Sequence, residues 1–189
     1  AVAKLRKAQD RVHKARPYGE KIKSLLNRSL QHLPDFRSPP LLLVGRDDVP
    51  TELILVITSD RGLCGGFNAN IVREVKNQIL GCEARGVPVK LLCIGSKGYE
   101  LLKREHQQKI IAVESEVGKE GIQFNQAMTI ALKLEQMLAQ GEIGKVRAVY
   151  SVFKSAISQQ IRHTHLIPVD VHSIVDHTII EYEPDHEKV

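Results

Sequence analysis

The densest run of residues capable of chemistry is Ser59-Asp60-Arg61-Gly62-Leu63-Cys64-Gly65-Gly66-Phe67-Asn68. Its three glycines permit positive φ and close backbone approach, and a helix beginning just beyond it offers unpaired amides to an anion. A phosphate group is the ligand such a turn can serve, so a nucleotide-binding α/β enzyme using Gly62–Gly66 is the alternative reading it supports. The spacing argues against that reading. The run is G-x-x-G-G where a dinucleotide loop needs G-x-G-x-x-G, and the next turn offers Gly95-Ser96-Lys97 instead of a ribose-binding acid. A G-x-x-x-x-G-K-[ST] loop is absent from the whole chain. Glycines placed for tight packing explain the turn with fewer assumptions. Cys64 precedes a predicted helix N-terminus, a position that can activate a thiol, but no histidine can be placed beside it, and a small packing residue is the better reading. His163 and His165 lie two apart on a predicted strand, with His172 and His177 further on, yet no cysteine or acid spacing of a metal site accompanies them. The residues therefore indicate no catalytic group, no metal and no cofactor.

The elements that position these residues read as alternating strand and helix. Glu52 to Ser59 is a nearly continuous apolar run with three apolar β-branched residues, Ile54, Val56 and Ile57, the pattern of a strand buried on both faces. Asn68 is a natural N-cap for a helix whose Ile71, Val75 and Ile79 recur every four residues, ending near Gly81 or Gly86. Val89 to Ile94 is the second strand, Tyr99 to Arg104 a short helix and Lys109 to Val113 the third strand. A longer helix over Gln123 to Ala139 carries Ala127, Ile130, Ala131, Leu134, Met137 and Leu138 on one stripe. Beyond Gly144 two strands, Lys145 to Lys154 and Gln159 to Val169, are close enough to form a mixed or antiparallel pair. The expected fold class is α/β, with a doubly wound, mostly parallel, Rossmann-like sheet.

A separate element precedes it. Through Leu30 the chain holds nine lysines and arginines against Asp10 and Glu20, a net of +7, whereas the whole chain carries +5 and the remainder is slightly acidic. Leu5, Ala8, Val12 and Ala15 step by 3, 4 and 3, and Ile22 and Leu26 resume the frame, which is a coiled-coil seam. So narrow a stripe cannot bury itself, and no second helix of matching pattern occurs in the sequence. Pro17 lies within this run, removes one backbone hydrogen bond and is expected to kink the helix. The expected organisation is a coiled-coil helix over 1–33, a linker over 34–50 with four prolines, serving as a flexible hinge, and an α/β domain over 51–189.

With 189 residues and 42% apolar content the chain can bury a core unaided, and it is neither disordered nor fibrous. No apolar run approaches the roughly 18 residues of a membrane span, which excludes direct membrane insertion. The three cysteines, 64, 82 and 93, lack C-x-x-C spacing and fit a reducing compartment. Aromatics are only 4% and Trp is absent, so the basic helix lacks the stacking groups of a nucleic-acid reader, and a protein partner accounts for its seam.

The string from Ser59 to Asn68 resembles the signature loop of the gamma subunits of F-type ATP synthases. Ala1-Val2-Ala3-Lys4-Leu5-Arg6-Lys7-Ala8-Gln9 and Ala15-Arg16-Pro17-Tyr18 are similar to that family's N-terminal shaft helix. Val149-Tyr150-Ser151-Val152-Phe153, Leu166-Ile167-Pro168 and Glu181-Tyr182-Glu183-Pro184 fall where the family has comparable strings. The resemblance implies a non-catalytic central-stalk rotor, coupling proton or sodium-ion flow through a membrane ring to ATP synthesis or hydrolysis on beta subunits. It further implies that the N-terminal helix starts earlier than Ala1, and that a long C-terminal helix beyond Val189 completes an antiparallel coiled coil with the seam at Leu5, Ala8, Val12 and Ala15. The implied partners are the alpha and beta subunits, the epsilon subunit and the ring of c subunits, with no nucleic acid. By the same resemblance Lys4, Arg6, Lys7 and Arg11 engage acidic loops of beta subunits. Asp60 and Arg61 lie where the domain faces the shaft and the bottom of the ring, and Tyr182 and Glu183 belong to the foot. The implied location is peripheral, on the cytoplasmic face of a bacterial plasma membrane or its matrix or stromal equivalent.

Overall fold

The computed structural model describes residues 14, 17–22, 24–26, 28, 40–116, 124–155 and 158–169. Two compact units are distinguished, with Pro39–Asp170 forming one of them. In the other, residues 14, 17–22, 24–26 and 28 are helical, and Ile22 and Leu26 of the apolar seam are exposed. Residues 17–22 are helical, since the proline ring disturbs only the turn before it, and the kink expected there falls on residues outside those described.

The α/β unit is built on a five-stranded sheet. Its elements are α1 (Leu41–Val44), β1 (Glu52–Ile57), α2 (Phe67–Glu83), β2 (Val89–Ile94), α3 (Ser96–His106), β3 (Ile110–Glu114), α4 (Phe124–Ala139), β4 (Lys145–Ser155) and β5 (Ser158–Ile167). The strand order is β3-β2-β1-β4-β5. β1 runs parallel to both β2 and β4, β3 runs parallel to β2, and β5 closes the far edge antiparallel to β4. The sheet is thus mostly parallel, as expected, and the pair after Gly144 is antiparallel.

The apolar run of β1 is continuous because both faces are covered. Ile54 and Val56 pack with Ile71, Val75 and Ile79 of α2 and Leu102 of α3. Leu53 and Leu55, pointing the opposite way by the two-residue period, pack with Leu134, Met137 and Leu138 of α4. β2 repeats the alternation, with Leu91 and Cys93 on the first face and Leu92 and Ile94 on the second.

Two local expectations change. Residues 40–50, read as linker, hold the single turn α1 and pack onto the unit: Leu42 contacts the second core, Arg46 N donates to Gly144 O at 2.9 Å, and Val169 N donates to Leu43 O at 2.8 Å. The prolines mark a turn here, and a turn can be held by tertiary bonds as firmly as a strand. The second concerns Asn68, which does not cap α2. The cap position is Gly66, and the Asn68 side chain turns back toward the β1 loop. Helix α2 also runs through Gly81 and stops at Glu83, where Val87 N returns to Cys82 O and Gly86 takes the left-handed conformation.

Candidate docking site at the carboxyl edge of the sheet

The loop of residues 59–68 leaves the carboxyl end of β1, the edge at which open α/β sheets meet their partners. Its base is a polar knot. Asn68, buried in the first turn of α2, accepts from Ser59 N at 3.0 Å through Oδ1. Its Nδ2 lies 3.0 Å from Ser59 Oγ, 3.1 Å from Cys64 Sγ and 3.4 Å from Arg61 O. A side chain so placed joins both ends of the loop, which an N-cap could not do.

Asp60 makes the second tie. Its Oδ1 accepts from Ser96 N at 2.8 Å, at the start of α3, and its Oδ2 accepts from Glu116 N at 2.9 Å, just after β3. The carboxylate therefore occupies the amino end of α3 as an anion would, favoured by the helix dipole. Thr58 and Gly95 lock the same junction. Thr58 Oγ1 accepts from Gly98 N at 2.9 Å, and a Cβ added at Gly95 would lie 2.4 Å from Thr58 O, so only glycine admits this approach.

Above the knot the tip is open. Arg61, Gly62, Leu63, Cys64, Gly65 and Gly66 are all exposed. Leu63 is fully exposed, at 109% of its reference surface, and holds a φ of 57°. A large apolar side chain in left-handed backbone, offered wholly to solvent, stores strain of order 1 kcal/mol, and such outliers collect at sites of recognition. The arrangement can present Arg61 and Leu63 as a fixed knob. It offers no nucleophile with a base, and among the described residues no group of three or more His, Cys, Asp or Glu could hold a metal ion.

Of the residues expected to make contacts, Asp60 and Arg61 adjoin at this edge with different duties, one bonded inward and the other exposed. Lys4, Leu5, Arg6, Lys7, Ala8, Arg11, Val12, Ala15, Tyr182 and Glu183 lie outside the described residues. Two structural features lie beyond the sequence reading. Leu63 is exposed in left-handed backbone, for which an apolar side chain between glycines is the available signal. The buried pair of Glu52 and Arg147 was also missed, although a charge at the head of one apolar strand and another inside a second were visible.

Wider comparison agrees with this fold. A family model described as ATP synthase matches residues 1–189. The ATP synthase gamma chain of Sinorhizobium medicae is 37% identical over 188 residues, covering 98% of this chain and 65% of that protein. That of Rhodospirillum rubrum is 36% identical over 200 residues, covering 100% and 67%. Among solved structures, one of the Tetrahymena thermophila mitochondrial ATP synthase central stalk and c-ring matches with a TM-score of 0.57 and 29% identity, covering 77% of this chain and 58% of that one. A chain of the Euglena gracilis mitochondrial ATP synthase shares the fold at a TM-score of 0.52 and 16% identity, covering 87% and 57%. The fold is thus that of a subunit from a rotary ATP synthase stalk, and the chain belongs to the ATP synthase gamma-chain family. It spans about two thirds of the length of the curated relatives it matches.

Proposed function

We propose that this chain is a non-catalytic part of a central-stalk rotor, carrying rotation from an ion-driven membrane ring to the beta subunits that make or hydrolyse ATP. The observation that carries the reading is the family match across residues 1–189, with gamma chains as relatives. The helix over 1–33 is the shaft, with Leu5, Ala8, Val12 and Ala15 facing a second helix of an antiparallel coiled coil. The exposure of Ile22 and Leu26, which continue that seam, supports packing against a second helix. Lys4, Arg6, Lys7 and Arg11 meet acidic loops of beta subunits, and Tyr182 and Glu183 rest near the c ring and the epsilon subunit. The protein is peripheral to the membrane, in keeping with the lack, among the described residues, of any helix long and apolar enough to cross it.

Torque requires that the rotor make different contacts in different orientations, because only differential interaction shifts an equilibrium. A rigid, one-sided knob such as Arg61 and Leu63 on the knotted loop meets that requirement, and a flexible loop would not. Asp60 acts indirectly, by holding the knob. The enzyme alternative is opposed by the spacing of the loop itself, G-x-x-G-G, which matches neither the dinucleotide nor the phosphate-loop pattern. The test is an assembled ATP synthase carrying Arg61→Glu. ATP-driven ion pumping is expected to fall several-fold while the complex remains assembled; unchanged coupling would remove the loop from the docking surface.

A further inference from the structure

At the opposite, amino end of the sheet a cavity of about 290 Å³ is lined by Arg85, Lys145, Arg147 and His165 together with Glu52 and Asp47. Its floor is the buried pair in which Arg147 Nε lies 2.7 Å from Glu52 Oε1, a contact ionic in character but not aligned as a hydrogen bond. Arg147 also bonds Gln78 Oε1 through Nη1, and among the described residues its Nη2 has no acceptor. Glu52 is committed on its other oxygen to Cys82 Sγ, at 3.6 Å. Among the described residues Lys145 reaches only the solvated carboxylate of Asp47, at 3.3 Å. Arg85 meets no carboxylate among the described residues, its Nη2 lying 3.5 Å from Cys82 Sγ.

We propose that this cavity binds a small tetrahedral oxyanion, phosphate or sulfate in kind, between Arg147, Arg85 and Lys145, with His165 as a fourth, titrating contact. The donor geometry fits. A guanidinium fixed by Glu52 and Gln78 presents its remaining N–H groups without losing rotamer freedom, and arginine forks suit oxyanions. With three cations against Glu52 and Asp47 the lining carries a net +1 before His165 is counted, and the excess lies on the rim. His165 reports the resulting field. Partial burial first, then Arg147, His163 and Lys145, hold its imidazole below the ordinary range, with Glu52 opposing them. Protonation is thus disfavoured in the folded state, so stability is full above the ordinary histidine pKa and falls as pH drops through it. A bound anion reverses that bias and draws a proton onto His165.

Sulfate is the probe, because its charge is constant from pH 5 to 8, and the readout is the His165 ring resonance in NMR titrations of the full chain at fixed ionic strength. Saturable binding with a dissociation constant on the order of 1 mM is expected, tightening roughly three- to tenfold from pH 7.5 to 5.5 as His165 charges. Acetate at the same ionic strength separates tetrahedral oxyanions from carboxylates and should bind at least several-fold more weakly. Arg147→Gln strands Glu52 and threatens folding, so the rim variant Arg85→Gln/Lys145→Gln is the working test and should weaken binding about tenfold. His165→Gln, followed by isothermal titration calorimetry with sulfate because the reporting ring is gone, should abolish the pH dependence. A linear response matched by chloride, or a rim variant that binds like the parent, overturns the site.

Discussion

Replacing Asp60 with Asn tests the claim that this carboxylate works inside the loop knot. The parent accepts from Ser96 N and Glu116 N at 2.8 and 2.9 Å. An amide of the same shape retains one acceptor oxygen and turns an NH₂ toward the other backbone N–H, leaving a donor unpaired and removing the charge facing the α3 dipole. Loss of a charge-assisted bond is worth about 1.5–3 kcal/mol, and the dipole adds about 0.3–1 kcal/mol. Asp60→Asn should therefore cost about 2–4 kcal/mol, which for a unit of this size lowers Tm by roughly 5–15 °C. Urea denaturation followed by circular dichroism measures the loss. Hydrogen exchange localises it, with the Ser96 and Glu116 amides expected to lose protection before the β1 and β2 amides. Arg61→Ala, one residue away and exposed, should stay within about 0.5 kcal/mol of the parent. If Asp60→Asn is equally silent, the knot is not held as described.

Four further outcomes follow from the packing. Gly95→Ala should destabilise by more than about 2 kcal/mol, since its Cβ meets Thr58 O at 2.4 Å in left-handed backbone, whereas Gly86→Ala, with nothing within 4 Å, should cost only about 1 kcal/mol of strain; chemical denaturation of both compares them directly. Arg147→Met should cost about 3–5 kcal/mol by leaving Glu52 buried and unpaired, and adding Glu52→Leu should recover much of it; a double-mutant cycle reads the coupling. Burial pushes the Cys93 thiol up to about 11, so the unfolded chain ionises first and Cys93 contributes stability below the ordinary thiol range that is lost as pH rises toward that value. In native chain at pH 8, Cys64 alone should react rapidly with an aromatic disulfide reagent, and rapid modification of Cys82 or Cys93 would contradict the burial.

How far the sequence disclosed all this depended on whether a residue's role was periodic or positional. Ile54 and Val56 against Leu53 and Leu55 make a strand buried on both faces, and Ile71, Val75 and Ile79 a helix stripe, so order and type of these elements were readable before any coordinates. Asn68 was misread because Ser, Asn and Asp side chains compete for several nearby backbone groups, and only the folded loop decides that Ser59 wins over the helix amides. Pro34, Pro39, Pro40 and Pro50 suggested a free linker, but the bonds holding residues 43 and 46 come from Val169 and Gly144, more than ninety residues away. The tip of the 59–68 loop is legible as a motif and opaque as a surface, since its presentation depends on the long-range ties of Asp60 to Ser96 and Glu116. Glu52 and Arg147 lie on adjacent strands, and their pairing requires the β1–β4 register, which no local pattern reveals.

The most direct test of the rotor reading is native mass spectrometry of ATP synthase purified from the organism that makes this chain, with every released subunit identified. The chain is expected to leave the particle together with alpha, beta and epsilon subunits. A complete particle that contains no polypeptide with this sequence, or this chain recovered as a free species carrying a nucleotide, would contradict it.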